Sequence, residues 1–326
     1  MIILRGIVCS ASFAVALTFA ISATQAEQFP SNAIRIVVPT GPGTPPDIIS
    51  RVVAAELSQT EGWRMVVENR PGALQTIGMA DVLSQPADGY TIYPMSVATM
   101  AVPALLPKKG LRPDSDFVPV IKLSRSYNVL VVTPSFPATS LAELVATLKQ
   151  QPGKFNFSSA GFGTPAHLIG EMFKLRTEVQ VTHVPYQQAQ QRIADLLNGT
   201  NQFDFLATVT AAGFIDTGKL RAIAVTAPNR VAGLKDVPTV VEQGFTDLVV
   251  EDYVGFSVKS GTPGEIVSIL NQAVNRALLK PKVREAFATL GAEPTGGTPI
   301  EFGNLINSQM ARWGKIVKDS GIKMPD

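Results

Sequence analysis

The strand-to-helix turn at residues 158–167 reads Ser-Ser-Ala-Gly-Phe-Gly-Thr-Pro-Ala-His, which concentrates residue types that bind anions. Thr164 followed by proline is typical of a helix start, yet the first turn of this helix contains no acidic residue. Backbone N–H groups at a helix N-terminus form an anion site when no internal carboxylate occupies them. A tight turn that binds nothing requires the same glycines, so both interpretations stay open at this point.

Other helix starts in the sequence carry an acidic residue in the first turn. Ser140, Thr262 and Thr298 are each followed three residues later by glutamate, and Thr44 is followed three residues later by Asp47. In this arrangement the carboxylate can occupy the positive end of its own helix. The helix after residue 164 has histidine at the equivalent position, so we expect it to be the helix start that is open to an anion.

Residues that could support cofactor, metal or nucleophilic chemistry do not form the required patterns. Residues 161–166 match a loose dinucleotide fingerprint, but the next strand, ending at residue 184, lacks the acidic residue that would hold a ribose. His167 and His183 lack metal-ligand spacing, and no serine lies in a nucleophile elbow. We therefore predict no catalytic residue, no cofactor and no metal.

Phe162 is an aromatic residue between two glycines in a small and polar turn. An exposed aromatic ring in a loop is unfavourable unless another part of the protein or a ligand covers it. The two coverings are equally compatible with the sequence. In the second case Phe162, with Tyr253 as another ring, favours a planar, aromatic carboxylate.

Strand-like and helix-like segments alternate along most of the chain, which predicts parallel sheets with helices on both faces. Helical periodicity is clear at residues 48–57, 141–148 and 266–278. The predicted strands cover residues 34–38, 65–68, 90–93, 118–122, 129–133, 155–158, 179–184, 203–206, 221–226 and 253–258.

The composition excludes several classes of partner, and the N-terminus predicts export. The 326 residues are 45% hydrophobic with a net charge of +2, so neither nucleic acid nor anionic lipid is an expected partner. Arg5, the apolar residues 6–21 and the small residues at 24 and 26 predict a signal peptide cleaved after Ala26. An uncleaved membrane anchor is the alternative, but the apolar core is shorter than the about 20 residues a span needs. Cys9 lies in this segment and is the only cysteine, so no disulfide is expected.

Nine short motifs, taken together and in order, resemble the substrate-binding (Bug-type) receptors of tripartite tricarboxylate transporters. They occupy residues 30–39, 67–72, 87–90, 159–164, 183–186, 218–225, 236–240, 261–263 and 291–294. The resemblance implies an α/β, two-lobed type II periplasmic-binding-protein fold, each lobe a mainly parallel sheet flanked by helices. Lobe one would be residues 27–125 plus 246–326, lobe two residues 126–245, and the ligand would lie in the interlobe cleft.

The resemblance also implies a periplasmic monomer that binds a small organic carboxylate, mono- or dicarboxylic, and delivers it to membrane permease subunits. A ligand-sensing partner of a membrane signalling protein and an exported α/β enzyme are the alternatives. From the family's loops and the residue types above, the candidate ligand-binding residues are Thr40, Gly43, Thr44, Asp47, Ser96, Thr99, Ser159, Ala160, Phe162, Gly163, Thr164, His167, Tyr186, Asp204 and Tyr253.

Three departures from the family pattern bear on the pocket. Pro45 and Pro46 remove two N–H donors from the first loop, where the family is usually rich in glycine. Residues 187–191 are rich in glutamine, where lysine or small residues are common. Residues 207–210 lack the acidic residue often found there. The absence of that acid makes the side of the pocket at residues 207–210 less polar. Together with Phe162 and Tyr253, it favours a bulkier and flatter acid as ligand.

Overall fold

The computed structural model describes residues 29–322, so the predicted signal peptide at residues 1–26 lies outside the described part of the chain. The strands are β1 Ile34–Val38, β2 Met65–Asn69, β3 Thr91–Ser96, β4 Phe117–Val132, β5 Asn156–Ser159, β6 Thr182–Pro185, β7 Phe203–Ala207, β8 Arg221–Val225, β9 Glu251–Lys259 and β10 Glu293–Pro294. The helices are α1 Pro45–Thr60, α2 Thr76–Ser84, α3 Val97–Leu105, α4 Pro113–Asp116, α5 Leu141–Gln150, α6 Pro165–Thr177, α7 Ala189–Leu197, α8 Thr208–Asp216, α9 Gly264–Leu278, α10 Pro281–Ala288 and α11 Pro299–Ser320. Within residues 29–322, no helix combines the length and apolar content that crossing a bilayer requires.

The predicted α/β alternation is confirmed, and the strands form two sheets. The first has the order β2-β1-β3-β9-β4, and the second places β4 between β8 and the series β7-β5-β6. Pairing is parallel in β2-β1-β3 and in β6-β5-β7, and antiparallel wherever β4 or β9 takes part. Strand β1 is almost continuously apolar because it lies between two strands and packs against apolar side chains on both faces.

Strand β4 joins the two sheets. The sequence predicted separate strands at residues 118–122 and 129–133, which is wrong, because β4 is one strand of 16 residues. It pairs with β9 as far as Tyr127, with β7 from Asn128 onward and with β8 from Val129 onward. Two irregularities in the β4–β9 register let the strand bend as it passes between the sheets.

Thr226 connects β4 to the segment through which the chain returns to the first sheet. Its N–H donates to the carbonyl of Asn128 at 2.8 Å, and its carbonyl accepts from the N–H of Val250 at 2.9 Å. Its buried hydroxyl lies 3.1 Å from Asn128 N, Asn128 O and Val250 O. The point where the chain crosses between sheets is thus held by main-chain and side-chain hydrogen bonds together.

The helix starts follow the predicted capping patterns only in part. Ser140 and Thr298 accept from the N–H of the glutamate three residues later, as expected. At Thr262 the prediction is wrong, because that hydroxyl donates to the carbonyl of Lys259 and α9 begins at Gly264.

Candidate ligand-binding cleft

Two strand-to-helix loops, one after β1 and one after β5, have matching sequences and matching geometry. Residues 41–47 and 161–167 both read Gly-x-Gly-Thr-Pro-x, followed by aspartate in the first loop and histidine in the second. Gly43 and Gly163 have φ angles of 79° and 72°, a left-handed conformation that favours glycine. This local repeat was visible in the sequence and was missed, because its two copies lie 120 residues apart.

The threonine of each loop fixes the turn and does not cap the helix. Thr44 Oγ1 donates to the carbonyl of Gly41 at 2.8 Å, and Thr164 Oγ1 donates to the carbonyl of Gly161 at 2.6 Å. Neither hydroxyl accepts from the first turn of its helix, so the side-chain cap predicted at these positions does not form.

The acceptor for each loop comes from the third residue of the helix. Gly43 N–H donates to Asp47 Oδ2 at 2.9 Å, and Gly163 N–H donates to His167 Nδ1 at 3.0 Å. Burial opposes ionisation of Asp47, but hydrogen bonds from Arg51, Gly43 and Asn69 outweigh it and lower its pKa. A carboxylate therefore occupies the start of α1, and a neutral imidazole occupies the start of α6.

The two loops border a cavity of about 460 Å³ at which five helices begin. The N-terminal residues that line it are Thr44, Pro45 and Pro46 of α1, Ser96 and Ala98 of α3, Thr164, Pro165 and Ala166 of α6, Ala189 and Arg192 of α7, and Ala207, Val209 and Thr210 of α8. The expectation that only α6 begins without an acidic residue is wrong, because α3, α7 and α8 also lack one. The positive ends of several helix dipoles therefore act on one space.

Beyond the helix ends, the wall of this cavity is largely apolar. Its apolar side chains include Ile49, Tyr127, Ile193, Phe205, Leu206, Val254 and Leu290. The polar residues there include Thr40, Gln75, Ser124, Ser126, Asn128 and Asp252. Burial raises the pKa of Asp252 to about 6, against the hydrogen bond that its carboxylate accepts from Tyr253 N–H.

A second cavity of about 270 Å³ adjoins the first. The two share the four lining residues Thr40, Gln75, Ala98 and Thr164. Phe162 and Gly163 line only the smaller cavity. Leu74, in the connection between β2 and α2, also lines only the smaller cavity. The shared residues therefore mark the junction of the two cavities.

The predicted residues divide into a group on the cavity walls and a group behind them. Thr40, Gly43, Thr44, Ser96, Ala160, Thr164 and Tyr253 border the larger cavity, and Phe162 and Gly163 border the smaller. Tyr253 is only 1% exposed and its ring packs edge-on against Phe302 of α11, so it offers little ring surface to a ligand.

The remaining six residues line neither cavity and support those that do. Asp47 and His167 accept from the loop glycines, and Thr99 accepts from Ser96 N–H at 3.1 Å. Ser159 Oγ accepts from Gly161 N–H at 3.0 Å, and Tyr186 O–H donates to Asp195 at 2.7 Å. Asp204 is fully buried and pairs with Arg192.

Phe162, His167 and His183 form an aromatic cluster under the second loop. Phe162 meets the two histidine rings edge-on at 5.3 and 5.2 Å, and the histidine rings lie 4.2 Å apart. Burial lowers the pKa of His167 to about 4 and that of His183 to about 3, so both are neutral near pH 7. Protein side chains thus cover part of the Phe162 ring, one of the two coverings left open by the sequence.

Arg192 lines the larger cavity and was missed by the sequence reasoning. Its Nε donates to Asp204 Oδ2 at 2.6 Å, and its Nη2 donates to Asp204 Oδ1. Burial raises the pKa of Asp204, and the charge of Arg192 opposes that rise. No local pattern links a helix arginine to a strand aspartate 12 residues later, so the pair depends on tertiary structure.

Comparison with known proteins finds a matching family model, similar curated proteins and similar solved structures. A family model described as tripartite tricarboxylate transporter family receptor matches residues 49–322. Protein BugT of Bordetella pertussis is 33% identical over 305 residues, which cover 92% of each chain. Rpa4515 of R. palustris, solved with adipate, superimposes with a TM-score of 0.79 at 32% identity, covering 90% of this chain and 99% of that one. MatC of Rhodopseudomonas palustris, solved with bound malate, gives 0.78 at 30% identity, covering 89% and 100%.

Proposed function

The chain belongs to the tripartite tricarboxylate transporter receptor family of periplasmic solute-binding proteins, and from this premise we propose that it captures a small organic carboxylate with a substantial apolar body. The observation that supports this ligand class is the convergence of five helix N-termini, four without a first-turn acid, on one largely apolar cavity. The helix N-termini attract the carboxylate, and burial of the ligand's apolar part against the apolar wall of the cavity makes binding more favourable.

We propose that the ligand closes two lobes, residues 27–125 plus 246–326 and residues 126–245. The change of partner along β4 at Tyr127 and Asn128 supports this division, and so do the two matched loops that approach from opposite sheets. A carboxylate that contacts both loops binds the closed state more tightly, and this difference is what shifts the equilibrium towards closure.

The transport role belongs to the same proposal. Export with cleavage after Ala26 would place the receptor in the periplasm as a monomer, and permease subunits of a tripartite tricarboxylate-type transporter would accept its ligand. The similar proteins solved with adipate and malate support a carboxylate as cargo.

Thermal-shift and calorimetric titration with benzoate, 4-hydroxybenzoate, adipate and malate test the binding function. A probe at 100 times its dissociation constant should stabilise the folded chain by about 2.7 kcal/mol. Small-angle scattering should show compaction, and chromatography after prolonged incubation should recover the probe unchanged. Conversion of the probe would indicate an enzyme, and failure of all four probes to bind would contradict the proposal.

A further inference from the structure

Four consecutive residues between β2 and α2 have positive φ angles, and three of them are not glycine. The angles are 120° at Gly72, 45° at Ala73, 52° at Leu74 and 72° at Gln75. Residues other than glycine rarely adopt this backbone conformation, and several such residues in a row are energetically costly. Such strain persists only where the surrounding structure enforces it, and it concentrates at functional sites.

Two of these strained residues reach the ligand cleft. Leu74 lines the smaller cavity beside Gly163, so closely that a methyl group on Gly163 would lie 3.1 Å from Leu74 Cδ2. Gln75 lines both cavities, is 9% exposed, and is one of the four residues that the cavities share. The strain therefore holds one side chain against the opposite loop and places the next at the junction.

The amide of Gln75 is oriented so that its acceptor is used and its donor is largely available. Thr99 O–H donates to Gln75 Oε1 at 2.8 Å, which fixes the oxygen. Nε2 makes one long contact of 3.4 Å to Ser96 Oγ, and one of its two hydrogens has no partner among residues 29–322. An amide N–H donor that is mostly buried at this junction favours an oxygen acceptor.

We infer that Gln75 binds the ligand by donating its Nε2–H to the carboxylate at the junction of the two cavities. This inference rests on the proposed function. The carboxylate then lies beside Gln75 at the starts of α3 and α6, where Ala98 and Thr164 line both cavities, and its apolar body extends into the larger cavity. The strained backbone at residues 73–75 is the structural requirement for that position of the amide.

The experiment titrates wild type, Gln75→Leu and Gln75→Glu with benzoate, 4-hydroxybenzoate, adipate and malate. Gln75→Leu should weaken each probe that binds wild type by about tenfold or more, because a hydrogen bond to a charged group is lost. Gln75→Glu should weaken it further near pH 7 and recover affinity as the pH falls, because a protonated glutamate is again a donor. Gln59→Glu, an exposed position on α1, is the matched control and should bind like wild type.

Three results distinguish failure of the Gln75 inference from failure of the proposed function. If no probe binds wild type, the proposed function fails and the inference fails with it. If a probe binds wild type and both Gln75 variants alike, only the role of Gln75 is overturned. If the Gln75→Glu variant binds weakly at every pH while its melting temperature matches wild type, the donor role is also overturned, because a protonated donor should rescue it.

Discussion

Ala73 adopts a left-handed backbone conformation with an exposed side chain, so its strain is not offset by packing of its methyl group. Ala73→Gly should therefore raise the free energy of unfolding by about 0.5–1 kcal/mol, because glycine adopts this conformation without a steric penalty. The gain is partly reduced by the greater freedom of glycine in the unfolded chain. Urea unfolding of the two proteins measures the difference.

Ala80 supplies the control for this substitution. It is also exposed, but it lies within α2, where glycine should lower the free energy of unfolding by about 0.5–1 kcal/mol. Opposite signs at positions 73 and 80 would confirm the strain, and a loss of stability in both variants would contradict it.

At the scale of residues, the sequence motifs located the loops but not the direction of each side chain. Thr40, Thr44 and Thr164 were predicted at the site and do border the cavity. Gln75 and Arg192 were missed because a left-handed glutamine and an ion pair between α7 and β7 leave no local pattern. Such features depend on contacts that exist only after the sheets have formed.

At the scale of elements, α1 and α6 follow loops of the same sequence pattern but begin with an ionised aspartate in one case and a neutral histidine in the other. Asp47 accepts from its loop glycine and is paired with Arg51 at 2.9 Å. In α6 the corresponding positions are His167 and Glu171, so an acid at 167 would have no arginine beside it and would face a second carboxylate. The neutral histidine satisfies the glycine N–H and leaves the positive end of α6 for a ligand.

His167→Asp should therefore weaken carboxylate probes by about tenfold near pH 7, since it adds negative charge at this helix start. His167→Asn is the matched control, because its side-chain oxygen can accept the same Gly163 N–H without a charge. Calorimetry on both variants should show the loss only with aspartate. Equal affinities for the aspartate and asparagine variants would exclude an anion site at the start of α6.

The bounds of most elements were predictable because apolar periodicity is local, as in β1 and α5. The continuity of β4 was not predictable, since residues 124–126 and residue 128 are polar where the strand changes from one sheet to the other. The apolar pattern is interrupted there, but hydrogen bonding to β9 before this point and to β7 and β8 after it keeps the strand extended.

At the scale of the molecule, contacts of α11 and of Thr226 determine where the two lobes can move apart. Helix α11 packs on both α3 and α6, and Arg312 Nη2 donates to the carbonyl of Val249 at 2.7 Å. With Thr226 joining Asn128 to Val250, these contacts hold the two sheets together on the side of α11. Opening of the lobes is therefore expected at the cavity, about an axis near β4 and β9.

Global stability should depend on pH through the buried histidine cluster. Burial lowers the pKa of His167 to about 4 from an ordinary value of 6.5. Between these two pH values the unfolded chain binds a proton at His167 and the folded chain does not. This contribution is fully present above pH 6.5 and is lost as the pH falls towards 4, at up to about 1.4 kcal/mol per pH unit. Asp252, whose pKa is raised to about 6, acts in the opposite direction between pH 6 and its unfolded value.

Comparing wild type with His167→Asn separates the histidine from the carboxylates, because the carboxylates are present in both proteins. Between pH 6.5 and 4.5, the free energy of unfolding of wild type should fall more steeply than that of the variant, by about 1 kcal/mol per pH unit. His183 is present in both proteins, and burial lowers its pKa to about 3, below this pH range, so its contribution cancels in the comparison. Urea unfolding at half-unit pH steps measures both curves, and parallel curves would show that His167 titrates normally in the folded protein.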